Sequence, residues 1–200
     1  MGRLQGKDPT GATPLDEKDL DGLIPTHVAT RADLNLVEQV NIEAATFWAF
    51  RGRAVASVKD LLTVTVAYEI HRRMFGDVWR WAGKQRPREA NVGIDPIEIP
   101  TATRSLLDDA MYWHDHDVYD AIERAVRLHH RLVSVHPFRN GNGRHARFMA
   151  DLYLHTIERP RLSWGGEQLE TDTDTRRQYI SALRAADGGD ITVLLDFARS

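Results

Sequence analysis

Between Ala121 and Ile157, two amphipathic runs flank a short turn punctuated by proline and glycine. This layout constrains the fold more than any other feature of the 200-residue chain. On the first run Ile122, Ala125, Val126, Leu132 and Val133 fall at helical spacing, with His129 on the same stripe. His136 continues that phase, so the helix is expected to deliver its side chain inward. Pro137 disfavours the α conformation at the residue before it and ends the helix there. Phe138 follows as a hydrophobic anchor for the loop. Then come Gly141-Asn142-Gly143 and a second run with Ala146, Met149, Ala150, Tyr153 and Ile157 on one face.

A Gly-Asn-Gly turn that feeds a helix N-terminus points several backbone N–H groups at one spot, with the helix dipole behind them. Phosphate oxygens fit such a spot. Arg144 and Arg147 lie three apart in the first turns of that helix, where cations oppose the dipole unless a polyphosphate neutralises them. Asp151, four residues after Arg147, is expected to pair with it. A base, an anion cradle and two guanidinium groups within twelve residues suit phosphoryl or nucleotidyl transfer, whose catalysis is mostly positioning and charge stabilisation. No Walker-A match (GxxxxGK[ST]) is present.

Composition narrows the setting. Apolar residues make up 42% and charged residues 28%, which predicts a packed soluble core. The longest strongly apolar stretch, Leu61 to Tyr68, is too short to cross a bilayer. The N-terminus lacks an apolar core for a signal peptide, and Gly6 stands where a myristoylation signal needs Ser or Thr. The absence of cysteine excludes disulfides, thiolate nucleophiles and cysteine-based zinc sites. A cytoplasmic protein without membrane contact is expected. A net charge of −3 argues against non-specific nucleic-acid binding. Ala121 to Arg147 nevertheless carries six arginines and one glutamate, a local excess that favours an anionic ligand.

Along the rest of the chain, residues 1–30 hold three prolines and four glycines and read as an extended arm, with one domain over 31–200. Leu34, Val37, Ile42, Ala45, Trp48 and Ala49 predict a helix from Arg31, and a second is expected over Ser57–Phe75. Gly83–Pro100 reads as a small β-hairpin or extended flap. Helices are also predicted over 101–113, 121–135, 143–158 and 174–186. The fold class is therefore all-α, a helical core with a short β-hairpin flap. His114 and His116, in YWHDHD, read as a polar loop and not as a metal site.

The run from His136 to Arg147, HPFRNGNGRHAR, closely resembles the Fic motif HPFx[D/E]GNGRxxR, with eight of nine specified positions present. HHRLVSVHPF upstream and RRQYISALRAADGGDITVLLDF downstream are similar to Fic sequences too. The arm TPLDEKDLDGLIPTH and the overall size look like the small bacterial Fic proteins called mobile mystery protein B. The resemblance implies an all-α core that transfers AMP from ATP to a Tyr, Thr or Ser hydroxyl of a target protein. It makes His136 the general base, Gly141, Asn142 and Gly143 the anion hole, and Arg144 and Arg147 the holders of the outer phosphates. A flap from Arg88 through Asn91, Val92, Gly93 and Ile94 would register the target backbone by strand addition.

One position departs from the pattern. Asn140 stands where the family's acidic residue binds the ATP-associated Mg²⁺, and an amide brings no charge to a hard cation. The competing expectation is a nucleotide-binding or antitoxin-partner module of weak or absent turnover. A His/Asp metal phosphohydrolase is a third, fainter reading. Gly143 is retained where the family's kinase-like branch departs, which favours the nucleotidyl orientation. The family's inhibitory [S/T]xxxE[G/N] helix has partial counterparts such as Thr13–Glu17 and Ser163–Glu167, which lack the final Gly or Asn, and the resemblance leaves room for a separate antitoxin.

Overall fold

Local capping chemistry sets where the helices begin. In the computed structural model, which describes residues 15, 17–51, 55–166, 168–171 and 173–200, ten helices follow one another. They are α1 (Glu17–Leu20), α2 (Arg31–Arg51), α3 (Val58–Leu61), α4 (Val64–Phe75) and α5 (Ile99–Asp115). After these come α6 (Ala121–Val135), α7 (Asn142–Thr156), α8 (Gln168–Thr171), α9 (Thr173–Asp187) and α10 (Thr192–Arg199). Half of the expected arm, residues 1–14 and 16 with Thr13 among them, lies outside the described residues, as does Glu167.

Asp120 starts α6 by accepting the Glu123 N–H at 2.8 Å. The helix expected over Ser57–Phe75 is two helices. Thr63 sits in extended backbone (φ −123°, ψ 146°) and its hydroxyl accepts the Val66 N–H at 3.2 Å, which starts α4 afresh. The β-branched run at Thr63–Val66 breaks the first helix because a threonine there gains more as a cap than as an interior residue. The short α10, which buries Leu194, Phe197 and Ala198, has no counterpart among the predicted helices.

α6 and α7 pack on each other at the centre, with α5 and α10 against α6, and α2, α3 and α4 against α7. α7 was expected to bury one face. It buries Ala146, Phe148, Met149, Ala150, Leu152, Tyr153 and Leu154, because other helices cover it on several sides. At the other edge the chain at Gly22–Ile24 runs antiparallel to Val78–Arg80. The Ile24 N–H reaches the Val78 carbonyl at 2.9 Å, and the Arg80 N–H reaches that of Gly22 at 2.8 Å. Among the described residues no helix is long and apolar enough to cross a membrane.

The β-hairpin expected over Gly83–Pro100 is not formed. That stretch is turns and bends leading into α5. Its cross-links run through one side chain instead of a strand ladder. Buried Arg86 donates from Nε to the His136 carbonyl at 2.7 Å, from Nη1 to that of Arg88 at 2.7 Å, and from Nη2 to that of Ile94. The Arg86 N–H also reaches the Pro137 carbonyl at 2.9 Å. With their carbonyls satisfied by a guanidinium, the two limbs have no need to pair with each other.

Candidate active site

The α6–α7 connection is built around two buried imidazoles and one buried amide. His71, on α4, accepts the Gly83 N–H at Nδ1 (3.0 Å) and donates from Nε2 to the Asn140 carbonyl at 3.0 Å. Both ring nitrogens are used in the neutral form, and burial holds its pKa well below the usual histidine value. Phe138 stacks on His71 with 3.7 Å between ring centroids, so the anchoring role expected of this phenylalanine is realised. His145 lies 2.9 Å from the Ala67 carbonyl, and burial pushes its pKa down to about 4. The side chain of Asn142 reaches back across the connection to Phe138. Its Oδ1 accepts the Phe138 N–H at 2.9 Å, and its Nδ2 donates to the Phe138 carbonyl at 2.8 Å.

α6 ends as the sequence predicts, with His136 in left-handed backbone (φ 53°, ψ 59°) directly before Pro137. Its Nδ1 lies 3.3 Å from the Val133 carbonyl, which accepts that proton and leaves Nε2 as the basic nitrogen. Burial, aided by the charge of Arg86, lowers its pKa to about 4 against the Val133 hydrogen bond. Gly141, the N-cap of α7, has φ +78°, and a Cβ there would meet the Phe75 ring at 2.5 Å. Only glycine fits that position.

His136, Asn140, Gly141, Asn142, Gly143, Arg144 and Arg147 line one cavity of about 590 Å³, a size that suits a nucleotide. Of the expected flap residues, Asn91, Val92 and Gly93 line it as well. Arg88 and Ile94 do not: Arg88 lies 3.4 Å from Asp19, and Ile94 spends its carbonyl on Arg86. Gly93 has φ +110°, and a Cβ there would sit 2.5 Å from the Cβ of His136. Gly93→Ala must therefore shift either the flap or the histidine. The strain should cost about 1–3 kcal/mol of folding stability. Urea denaturation of the variant and the wild type checks this.

Asp151 does not form the expected pair with Arg147. Its carboxylate accepts from the Leu162 N–H at 3.2 Å and the Trp164 indole at 3.0 Å, and burial raises its pKa to about 6. It braces the 162–164 segment, and the charges of Arg161 and Arg147 act on it from nearby. Of His114 and His116, read as a polar loop, only His116 lies past the end of a helix. His114 lies on α5 near the Tyr153 hydroxyl (3.2 Å), and His116 caps that helix.

Sequence reasoning missed two walls of the cavity. One comes from α2, where Arg31, Asn35 and Glu38 recur at helical spacing on one face. Glu38 is buried. Its Oε1 accepts from the Trp79 indole at 2.6 Å, and its Oε2 pairs with Arg144 at 2.8 Å. The only sequence signal was a glutamate inside the apolar stripe of α2. The other wall comes from α9, with Tyr179, Ile180, Leu183 and Arg184, and Asp187 at its end pairing with His130 at 2.8 Å.

A magnesium ion needs hard, preferably anionic oxygen ligands. Oδ1 of Asn140 accepts the Gly141 N–H at 2.6 Å. Among the described residues of the cavity wall the carboxylates are Glu38 and Asp187, which pair with Arg144 and His130. Among the described residues no group of three His, Asp or Glu side chains could hold a metal ion. This donor set does not fit a magnesium ion held by the protein.

Residues 61–154 match the family model described as the Fic/DOC family, and the chain carries a Fic/DOC-family domain. A protein adenylyltransferase, fic-1 of Caenorhabditis briggsae, is 32% identical over 139 residues, which covers 68% of this chain and 25% of that protein. The protein adenylyltransferase Fic of Nematostella vectensis is 29% identical over 145 residues, 69% of this chain and 32% of that one. This chain thus spans about a quarter to a third of the length of those curated relatives. Among solved structures, Fic-1 of C. elegans superposes with a TM-score of 0.65 at 25% identity, covering 81% of this chain and 47% of that one. The BepC protein of Bartonella tribocorum shares the fold (TM-score 0.65, 14% identity) over 86% of this chain and 87% of its own.

Proposed function

We propose that this chain transfers AMP from ATP to a hydroxyl side chain of a target protein, with residues 31–200 as the working domain. The observation that carries the reading is that the basic nitrogen of His136 and the N-terminus of α7 belong to one cavity, with Arg144 and Arg147 beside them. The similar proteins named protein adenylyltransferases support it. In the proposed step the target hydroxyl oxygen bonds to the α-phosphorus and the bond to the β-phosphate oxygen breaks. Pyrophosphate leaves, and His136 Nε2 takes the hydroxyl proton. The backbone N–H groups of Asn142 and Gly143 at the helix N-terminus stabilise charge on the phosphate oxygens. Arg144 and Arg147 hold the β- and γ-phosphates. Asn91, Val92 and Gly93 present backbone to the target segment across the cavity mouth.

A second reading, a nucleotide-binding module with weak turnover, draws on Asn140, whose amide oxygen is already spent on Gly141. ATP labelled on the α-phosphate, incubated with the full chain and a cell lysate, separates the readings. Label on protein means transfer, retained ATP means a module, and released AMP means hydrolysis. The pH profile adds a signature. A base must be neutral to act, and a pKa lowered to about 4 keeps His136 neutral well below the usual histidine range. The kcat/KM for labelling should stay level from about pH 8 to about pH 5.5 and fall only as pH approaches 4. A half-maximum near pH 6.5 would show an ordinary solvated histidine and count against the buried base.

A further inference from the structure

We propose that the cavity neutralises a bound polyphosphate with guanidinium groups, Arg31 among them, and not with a divalent cation held by the protein. The proposal rests on the nucleotide reading above and specifies how that site handles charge. Among the described residues, five arginines line the cavity, Arg31, Arg144, Arg147, Arg176 and Arg184, against two carboxylates, Glu38 and Asp187. Both carboxylates already have partners, Glu38 the Arg144 guanidinium and Asp187 the Nε2 of His130. The Asn140 amide oxygen is neutral and already shared with the Gly141 N–H, so it offers a hard cation no charge.

Arg31 stands apart from the motif yet faces the same space. It is the first residue of α2, where the helix dipole disfavours a cation, and it is partly buried. Burial and the nearby charge of Arg144 both act against its charged form, with Glu38 in partial compensation. Like charges gathered at the edge of a low-dielectric cavity store repulsion that a polyanion relieves. Guanidinium groups suit this task because each stays charged and offers a planar fork that matches two phosphate oxygens. Asn35, one turn on, supplies a neutral amide on the same stripe. The α2 face therefore belongs to the outer-phosphate end, and Ile180 and Leu183 on α9 supply apolar lining in the same cavity.

Calorimetry of the full chain with α,β-methylene-ATP, in EDTA and in millimolar Mg²⁺, tests the proposal without relying on turnover. The wild-type Kd should differ by no more than about threefold between the two media. Arg31→Gln should weaken the triphosphate about tenfold in both media and AMP less than about twofold. Arg31→Lys, which keeps the charge and loses the fork, should fall between and guards against a Gln variant that misfolds. Asn140→Asp should create a metal requirement, with affinity lost in EDTA and regained in Mg²⁺. Wild-type binding tenfold or more tighter with Mg²⁺ would overturn this proposal and leave the transferase reading standing. So would unchanged triphosphate affinity in both Arg31 variants. Absence of nucleotide binding in either medium would remove both.

Discussion

His136→Ala abolishes target labelling, with a loss of about 10²- to 10⁴-fold, the usual worth of a positioned general base. ATP affinity should stay within about twofold, because the groups proposed to hold the phosphates sit on α7 and α2 and draw their support from elsewhere than the histidine. The Asn140 carbonyl is tied to His71, and Phe138 is tied to Asn142. One complication is the left-handed backbone at position 136, φ 53°, which alanine tolerates poorly. His136→Asn removes the base and suits that backbone better, since asparagine is enriched there. Both variants should be equally inactive and should bind ATP like the wild type. If His136→Asn retained labelling, the loss in His136→Ala would trace to the loop and His136 would lose its role.

The second large effect is Asn142→Asp, which changes one NH₂ to an oxygen in a buried position. The amide now donates from Nδ2 to the Phe138 carbonyl at 2.8 Å. An ionised carboxylate would place two acceptors at that distance with no water to separate them. The cost should be about 3 kcal/mol or more, the range for an unpaired buried charge. A carboxylate in the first turn of α7 gains about 0.3–1 kcal/mol from the helix dipole, too little to offset it. The sign with pH follows from the protonated form, which restores a donor toward Phe138. The folded pKa of the new acid is therefore raised above its unfolded value near 4. The penalty relative to wild type is full at neutral pH and shrinks as pH falls through the raised pKa. Urea denaturation of both proteins at pH 7 and pH 5 measures that difference. It also cancels the destabilisation both share from His71, His129, His136 and His145, which are buried neutral with lowered pKa values. A penalty that stayed constant between those pH values would mean that the acid at 142 has left the Phe138 carbonyl.

Much of the α6–α7 unit was legible in the sequence because its signals are local. Helical spacing placed Ala125, Val126 and Leu132 inside, Pro137 stopped α6 at His136, and Gly141 answered a turn that needs positive φ. The errors have physical causes of the same kind. At Thr63 a cap outweighed helix continuation, and at Gly83–Pro100 the carbonyls that would have paired in a hairpin found the Arg86 guanidinium instead. Asp151 lies at the right spacing for Arg147, but the chain at Leu162 and Trp164 folds back to offer it buried donors.

The sequence by itself determined the helical class, the α6–turn–α7 unit, and the meeting of His136 with the N-terminus of α7, since all three follow from neighbours in the chain. Only the tertiary structure decided what surrounds that unit. Glu38 reaches Arg144 across 106 positions of sequence, Arg86 reaches His136 across 50, and His71 reaches Asn140 across 69. Helical periodicity states that a residue faces inward, but not which partner it will find there. That partner is selected when α2, α4 and α9 pack around the α6–α7 pair. Once water is excluded, each buried donor, acceptor and charge must be matched by whatever group the packing brings within reach.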